Sequence, residues 1–126
     1  MGLQRLTQAD TTILENPGIT SHQLIWPRNA PDAALTMTRV TVQPGATSRR
    51  HAHPHAEQVW LVEQGTATLL LADDQSAPIQ AGDIIRTPPG EVHGLTNTGA
   101  GPFVYLTATT PPLDFTTAYR DPAGAP

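Results

Sequence analysis

Cysteine is absent from the 126-residue chain, so disulfides and thiolate metal sites are excluded, and any bound ion must be held by nitrogen or oxygen. Long apolar runs are missing too. The opening Met1-Gly2-Leu3-Gln4-Arg5-Leu6 lacks the apolar stretch of a secretory leader, and no segment approaches the length of a membrane span. The expectation is a cytoplasmic protein with no membrane partner. Basic charge is scarce: the formal net charge is −4 and the one basic cluster is Arg49-Arg50, which argues against nucleic acid as a partner. Punctuation, by contrast, is plentiful. Thirteen prolines and ten glycines interrupt the chain so often that long helices have no room, and threonine, valine and leucine fill the intervals. Many short strands between turn signals predict an all-β sandwich or barrel of one domain.

Leu3–Leu14 reads as irregular with at most one short strand, ended by Asn16-Pro17-Gly18. Strands are expected at His22–Trp26, Leu35–Gln43, Gln58–Val62, Thr66–Leu71, Ile84–Thr87, Val92–Thr96 and Phe103–Thr109, with an extended piece at Arg50–His53 and a brief pairing at Pro78-Ile79. The part after Pro111 reads as partly irregular, and residues 120–126 as flexible.

Four of the five histidines fall in two short windows. His51 and His53 are two apart, so on an extended segment both rings leave the same face. His93, just past a proline–glycine turn, can supply a third ligand from another strand. Three imidazoles with further positions open is the arrangement that a catalytic ion requires.

The text around these histidines is more specific than their spacing. Gly45, His51, His53, Gln58 and Gly65 are separated by five, one, four and six residues. Gly82, Pro88, Gly90, His93 and Asn97 are separated by five, one, two and three. The pair, spanning residues 45–97, resembles the two signature motifs of the cupin superfamily. The second matches at every fixed position, whereas the first has Gln58 where glutamate is commonest. The glycines sit at turns, and Pro88 pre-sets φ ahead of one. Asn97 either satisfies backbone groups at a strand end or forms the turn before Thr98-Gly99.

The resemblance implies a single-domain cupin jelly-roll barrel (a double-stranded β-helix) over residues 1–126. Its core is expected at about 33–112, with residues 1–32 adding strands or dimer contacts; early strands around Leu24–Trp26 would pair across a homodimer interface. It implies one divalent transition metal per chain (iron, zinc, nickel, manganese or copper) held by His51, His53, Gln58 and His93. Glu57 is the alternative to Gln58, since adjacent strand residues face opposite sides. With Gln58 the ligand set is neutral and the site keeps its +2 charge; with Glu57 it falls to +1. His55, Glu57 and Tyr105 are candidates for moving protons. Trp60, Arg39, Met37 and Phe103 are candidates for contacting substrate, and Arg39 or Arg86 would bind an anionic group if turned inward. His22, remote in sequence, is expected at a surface or interface. The expected partner is a small organic molecule. The activity is that of a dioxygenase or of a redox-neutral isomerase, cyclase or lyase; the alternative is a non-catalytic binding or sensing cupin with a structural or incidental metal.

Overall fold

The computed structural model describes residues 2–120. After a short 3-10 turn at Gln8–Asp10 come ten strands: β1 (Thr12–Asn16), β2 (Ile19–Ile25), β3 (Thr36–Val42), β4 (Thr47–His51), β5 (Glu57–Gln64), β6 (Thr66–Leu71), β7 (Ser76–Gln80), β8 (Ile84–Thr87), β9 (His93–Thr96) and β10 (Phe103–Thr110). A short helix, α1 (Thr116–Arg120), follows. The strands form two antiparallel sheets, ordered β1-β2-β3-β10-β5-β8 and β4-β9-β6-β7. This is an all-β jelly roll, in which two sheets face each other across one core. Residues 120–126, expected to be flexible, lie outside the described residues except for the backbone of Arg120. No helix among the described residues is long and apolar enough to cross a membrane.

The strand alternation orients the large sheet. In β3, Thr36, Thr38, Val40 and Val42 are buried, so Met37, Arg39 and Thr41 lie on the outer face. In β10 the inward set is Phe103, Tyr105, Thr107 and Thr109. In β5 it is Gln58, Trp60 and Val62. The interior is thereby divided lengthwise. At one end Val42, Val62, Ala67, Leu69, Leu95 and Phe103 pack as an apolar plug. At the other end the inner wall is polar, with Thr36, Gln58, Thr87 and Thr109 in a single cross-strand row.

One turn depends on a missing side chain and another on a side chain that is present. Gly65 joins β5 to β6 at φ +87°, and a Cβ there would stand 2.5 Å from the Pro102 carbonyl oxygen. Asn97 closes the apolar end. Its Nδ2 donates to the carbonyls of Val42 (2.8 Å) and Gly101 (2.9 Å), and its Oδ1 accepts from the Gly99 amide (2.9 Å). Both expected roles, backbone satisfaction and turn formation, are met by one side chain.

The N-terminal part is more regular than its sequence suggests. β1 and β2 pair over Thr12–Gln23 and extend the large sheet past β3. β2 is therefore flanked on both sides, and Trp26 is buried within its own chain. The edge strands of the large sheet are β1 and β8, and the β1–β2 ladder ends at Gln23.

Candidate metal centre

His51 ends β4 and His93 begins β9, and the two are direct partners in the β4–β9 ladder. Simple alternation would not give that. Ser48 is buried opposite Leu95, so an unbroken strand would turn Arg50 inward and His51 outward. The register shifts between Ser48 and His51: Arg49 and Arg50 together oppose Gly94, a β-bulge that returns His51 to the interior. Gly94 allows the close approach, since a Cβ there would lie 2.6 Å from the Ser48 carbonyl oxygen and 2.9 Å from the Arg49 carbonyl group. Arg50 anchors the bulge from outside, donating to the carbonyls of Leu71 (2.7 Å) and Gln75 (3.1 Å).

His53 lies two residues past the end of β4, and the three rings converge. Their centroids lie 4.3 Å apart for His51–His93, 5.0 Å for His51–His53 and 5.4 Å for His53–His93. One ring nitrogen of each lies within 4.8 Å of the others. Ligand nitrogens on a single ion sit roughly 3–3.5 Å apart, which modest ring rotation reaches. The tautomers also suit a ligand role. His51 Nδ1 donates to the Arg49 carbonyl (2.7 Å) and His93 Nδ1 to the Glu91 carbonyl (3.0 Å). A carbonyl only accepts, so Nδ1 carries the proton and Nε2 keeps its lone pair. The Nε2 of His93 is buried with no hydrogen-bond partner among the described residues, and an ion would satisfy it. Burial pushes the His93 imidazolium down to about 4, helped by charge on His51 and His53 and opposed by the Glu91 carbonyl, so the ring is neutral at physiological pH. The cluster can hold a metal ion.

Gln58 is buried on the inner wall, two residues from Trp60, whose ring meets His93 edge-on at 5.9 Å. Trp60 Nε1 donates to Gln58 Oε1 (3.3 Å), and Gln58 Nε2 donates to Thr109 Oγ1 (3.1 Å). An indole nitrogen only donates, so the amide cannot be reversed. Glu57 faces the other way. Its carboxylate accepts from Arg86 at 2.6 Å on the outer surface, which removes it from the expected ligands and from the proton-moving groups inside the barrel.

Other sequence candidates are redistributed. His55 is exposed, because the chain turns at Pro54-His55 and the strand parity linking it to His51 and His53 ends there. Tyr105 is inward but stacked on Trp60 at 4.2 Å, and burial raises its phenol well above the ordinary value, so it keeps its proton. Phe103 pairs with Val42 at the apolar end, whereas Gln58 pairs with Thr109 at the opposite end of β10, so Phe103 is a core residue and not a substrate contact. Arg39 and Met37 lie on the outer face. Arg39 pairs with Glu63 (2.8 Å) and lines, with His22, a cleft of about 500 Å³ beneath the N-terminal segment. Arg86 is likewise outside. Only Trp60 of the proposed substrate contacts stands beside the histidines.

The sequence reading missed a strap over the mouth, residues 111–119. Thr36 and Leu113 exchange two hydrogen bonds (2.7 and 2.9 Å), and Asp114 pairs with Arg28 (3.0 Å). Asn16 donates to the Ala118 carbonyl (3.0 Å). These ties hold Phe115 edge-on to His53 at 6.0 Å and bury Tyr119. A groove of about 330 Å³ separates His51 and His53 from Leu113, Phe115 and Ala118. The apolar residues Leu113, Phe115 and Tyr119 were the available signal in a segment otherwise read as irregular.

A small jelly-roll barrel with three converging histidines at its mouth is the architectural class. The cupin domain family matches residues 38–109, more than half of the chain, and the chain belongs to that family. Among solved structures it is similar to a cupin 2 conserved barrel domain protein from Salinispora arenicola, with 28% identity, 87% of this chain and 88% of that one covered, and a TM-score of 0.65. The polyketide cyclase RemF from Streptomyces resistomycificus shares the fold at 23% identity, 86% and 80% coverage and a TM-score of 0.71. So does ectoine synthase from P. lautus, at 14% identity, 90% and 82% coverage and a TM-score of 0.73. No curated protein matches the chain.

Proposed function

We propose that this cupin is a metal-dependent enzyme acting on a small organic molecule. The observation that carries the reading is the convergence of His51, His53 and His93, with Nδ1 of His51 and His93 tied to backbone carbonyls. These three would hold one divalent transition metal, with the oxygen of Gln58 as the fourth protein ligand. Such an ion supplies Lewis acidity toward a bound carbonyl or carboxylate oxygen, or coordination positions for dioxygen. The chain contributes placement. The backbone tethers fix the imidazoles, and Thr109 and Trp60 fix the amide of Gln58. Phe115 shields the histidines from bulk water. Trp60, stacked on Tyr105 and edge-on to His93, closes the wall behind the histidines. Cyclase and synthase relatives on the same fold support an enzymatic reading in general terms only.

Elemental analysis of protein purified without added metal tests this. Near one transition-metal ion per chain is expected, falling at least tenfold in His51→Ala and His93→Ala. Oxygen uptake by iron-loaded protein with a substrate panel then separates dioxygenase chemistry from redox-neutral isomerase, cyclase or lyase chemistry. Absence of metal both as purified and after reconstitution would sink the proposal. A second reading, a non-catalytic binding cupin, is favoured by one observation: Glu57 and His55 lie outside the barrel and Tyr105 keeps its proton. Stoichiometric metal without turnover of any panel member supports that reading instead.

A further inference from the structure

The inner wall carries polar atoms that the fold itself does not use. Gln23, Thr38, Thr107 and Trp60 occupy one cross-strand row, from β2 through β3 and β10 to β5, and Trp60 ends it against His93. Gln23 is wholly buried and Thr107 is 4% exposed. Gln23 Nε2 donates to Ser21 Oγ (2.8 Å) and to the Ser21 carbonyl (3.3 Å). That carbonyl only accepts, so the amide cannot flip, and Oε1 is the atom left over. Gln23 Oε1 and Thr107 Oγ1 have no hydrogen-bond partner among the described residues. A buried polar atom without a partner destabilises a fold, and leucine and valine would fill these two places without that penalty.

We propose that Gln23 and Thr107 form the specificity wall of the site, taking the neutral, hydroxyl- or N–H-bearing end of a ligand whose other end reaches the histidines. Gln23 Oε1 accepts from the ligand, while the Thr107 hydroxyl either accepts or donates. The wall holds no charge: the buried polar residues of the large sheet are Ser, Thr and Gln, and Arg39 and Arg86 are both paired on the outer face. An anionic group on the ligand is therefore directed to the histidine end, and a second anionic group has no partner on the wall. Tyr119 of the strap lies against Ser21 and Tyr105, one cross-strand row from Gln23 and Thr107.

The ligand preference rests on the metal-site reading above; the stability arm does not. D-gluconate and hexanoate are six-carbon monocarboxylates that differ in their hydroxyl groups. Titrated calorimetrically into zinc-loaded protein, gluconate is expected to bind at least tenfold more tightly. Gln23→Leu and Thr107→Val should each erode that preference about tenfold, with zinc content unchanged. Without ligand, Thr107→Val should raise the melting temperature by about 3 °C, since it removes an unpartnered hydroxyl. Thr109→Val should lower it, since Thr109 Oγ1 accepts from Gln58. Equal affinity for the two acids with zinc bound overturns the wall, as does a lower melting temperature in Thr107→Val. Failure to bind zinc overturns the metal reading alone, and the melting temperatures then decide the wall.

Discussion

His51 stands directly opposite His93 because two residues of β4, Arg49 and Arg50, are accommodated against one residue of β9, Gly94. The convergence of the histidines therefore depends on a residue that has no side chain. Gly94→Ala places a Cβ 2.6 Å from the Ser48 carbonyl oxygen, a backbone atom that cannot rotate away. The bulge must open, and His51 moves relative to His93. Metal affinity should fall more than tenfold and the melting temperature by several degrees. Gly101→Ala, where a Cβ meets nothing within 4 Å, should change neither. Metal competition assays and calorimetry on the two variants check the contrast.

Gln58 and Glu57 are neighbours in sequence with opposite surroundings. Gln58→Glu puts a carboxylate on the inner wall, lowers the charge of a metal-loaded site from +2 to +1, and should raise the pKa of metal-bound water. A cobalt-loaded sample should show its pH-dependent visible transition at higher pH in Gln58→Glu than in the native protein. Glu57→Gln should leave metal content unaltered. It weakens an ion pair whose arginine is 63% exposed, so its effect on stability should stay within about 1 kcal/mol. Metal loss in Glu57→Gln without effect in Gln58→Glu would reverse the assignment.

Asn97 carries three hydrogen bonds in a fully buried place. Asn97→Ala strands two carbonyls and an amide, and should cost about 2–4 kcal/mol by denaturant titration. The defect lies at the apolar end, so the folded fraction should bind metal with native stoichiometry.

The chain has two tyrosines, Tyr105 and Tyr119, and burial raises both above the ordinary phenol value. The folded protein keeps these protons where the unfolded chain releases them. This contribution to stability is therefore complete below about pH 10 and is lost as pH rises beyond it. Tyrosinate absorbance should remain absent past that pH and then appear for both residues together with unfolding. A gradual titration with native circular dichroism would show that the rings are accessible.

How much of this was legible in the sequence follows from the range of each signal. Turn residues and alternation are local, so Thr66–Leu71 and Ile84–Thr87 coincide with β6 and β8. The paired motifs of residues 45–97 are nearly local as well, and they brought forward His51, His53, His93 and Gln58. Face assignment is different. Alternation says that Met37, Arg39 and Thr41 share a side, but only the packing of the second sheet makes that side the outer one. The same packing divides Gln58 from Glu57 and sends Arg86 outward. Parity misleads wherever the chain leaves the strand, as at Pro54-His55, and an unbroken β4 would have turned His51 away from His93. The sequence by itself determined an all-β chain with a three-histidine cluster and no thiolate ligand. Tertiary structure alone decided which wall faces the histidines, how the β4 bulge aligns them and which segment closes over them, because these depend on contacts between strands far apart in the chain.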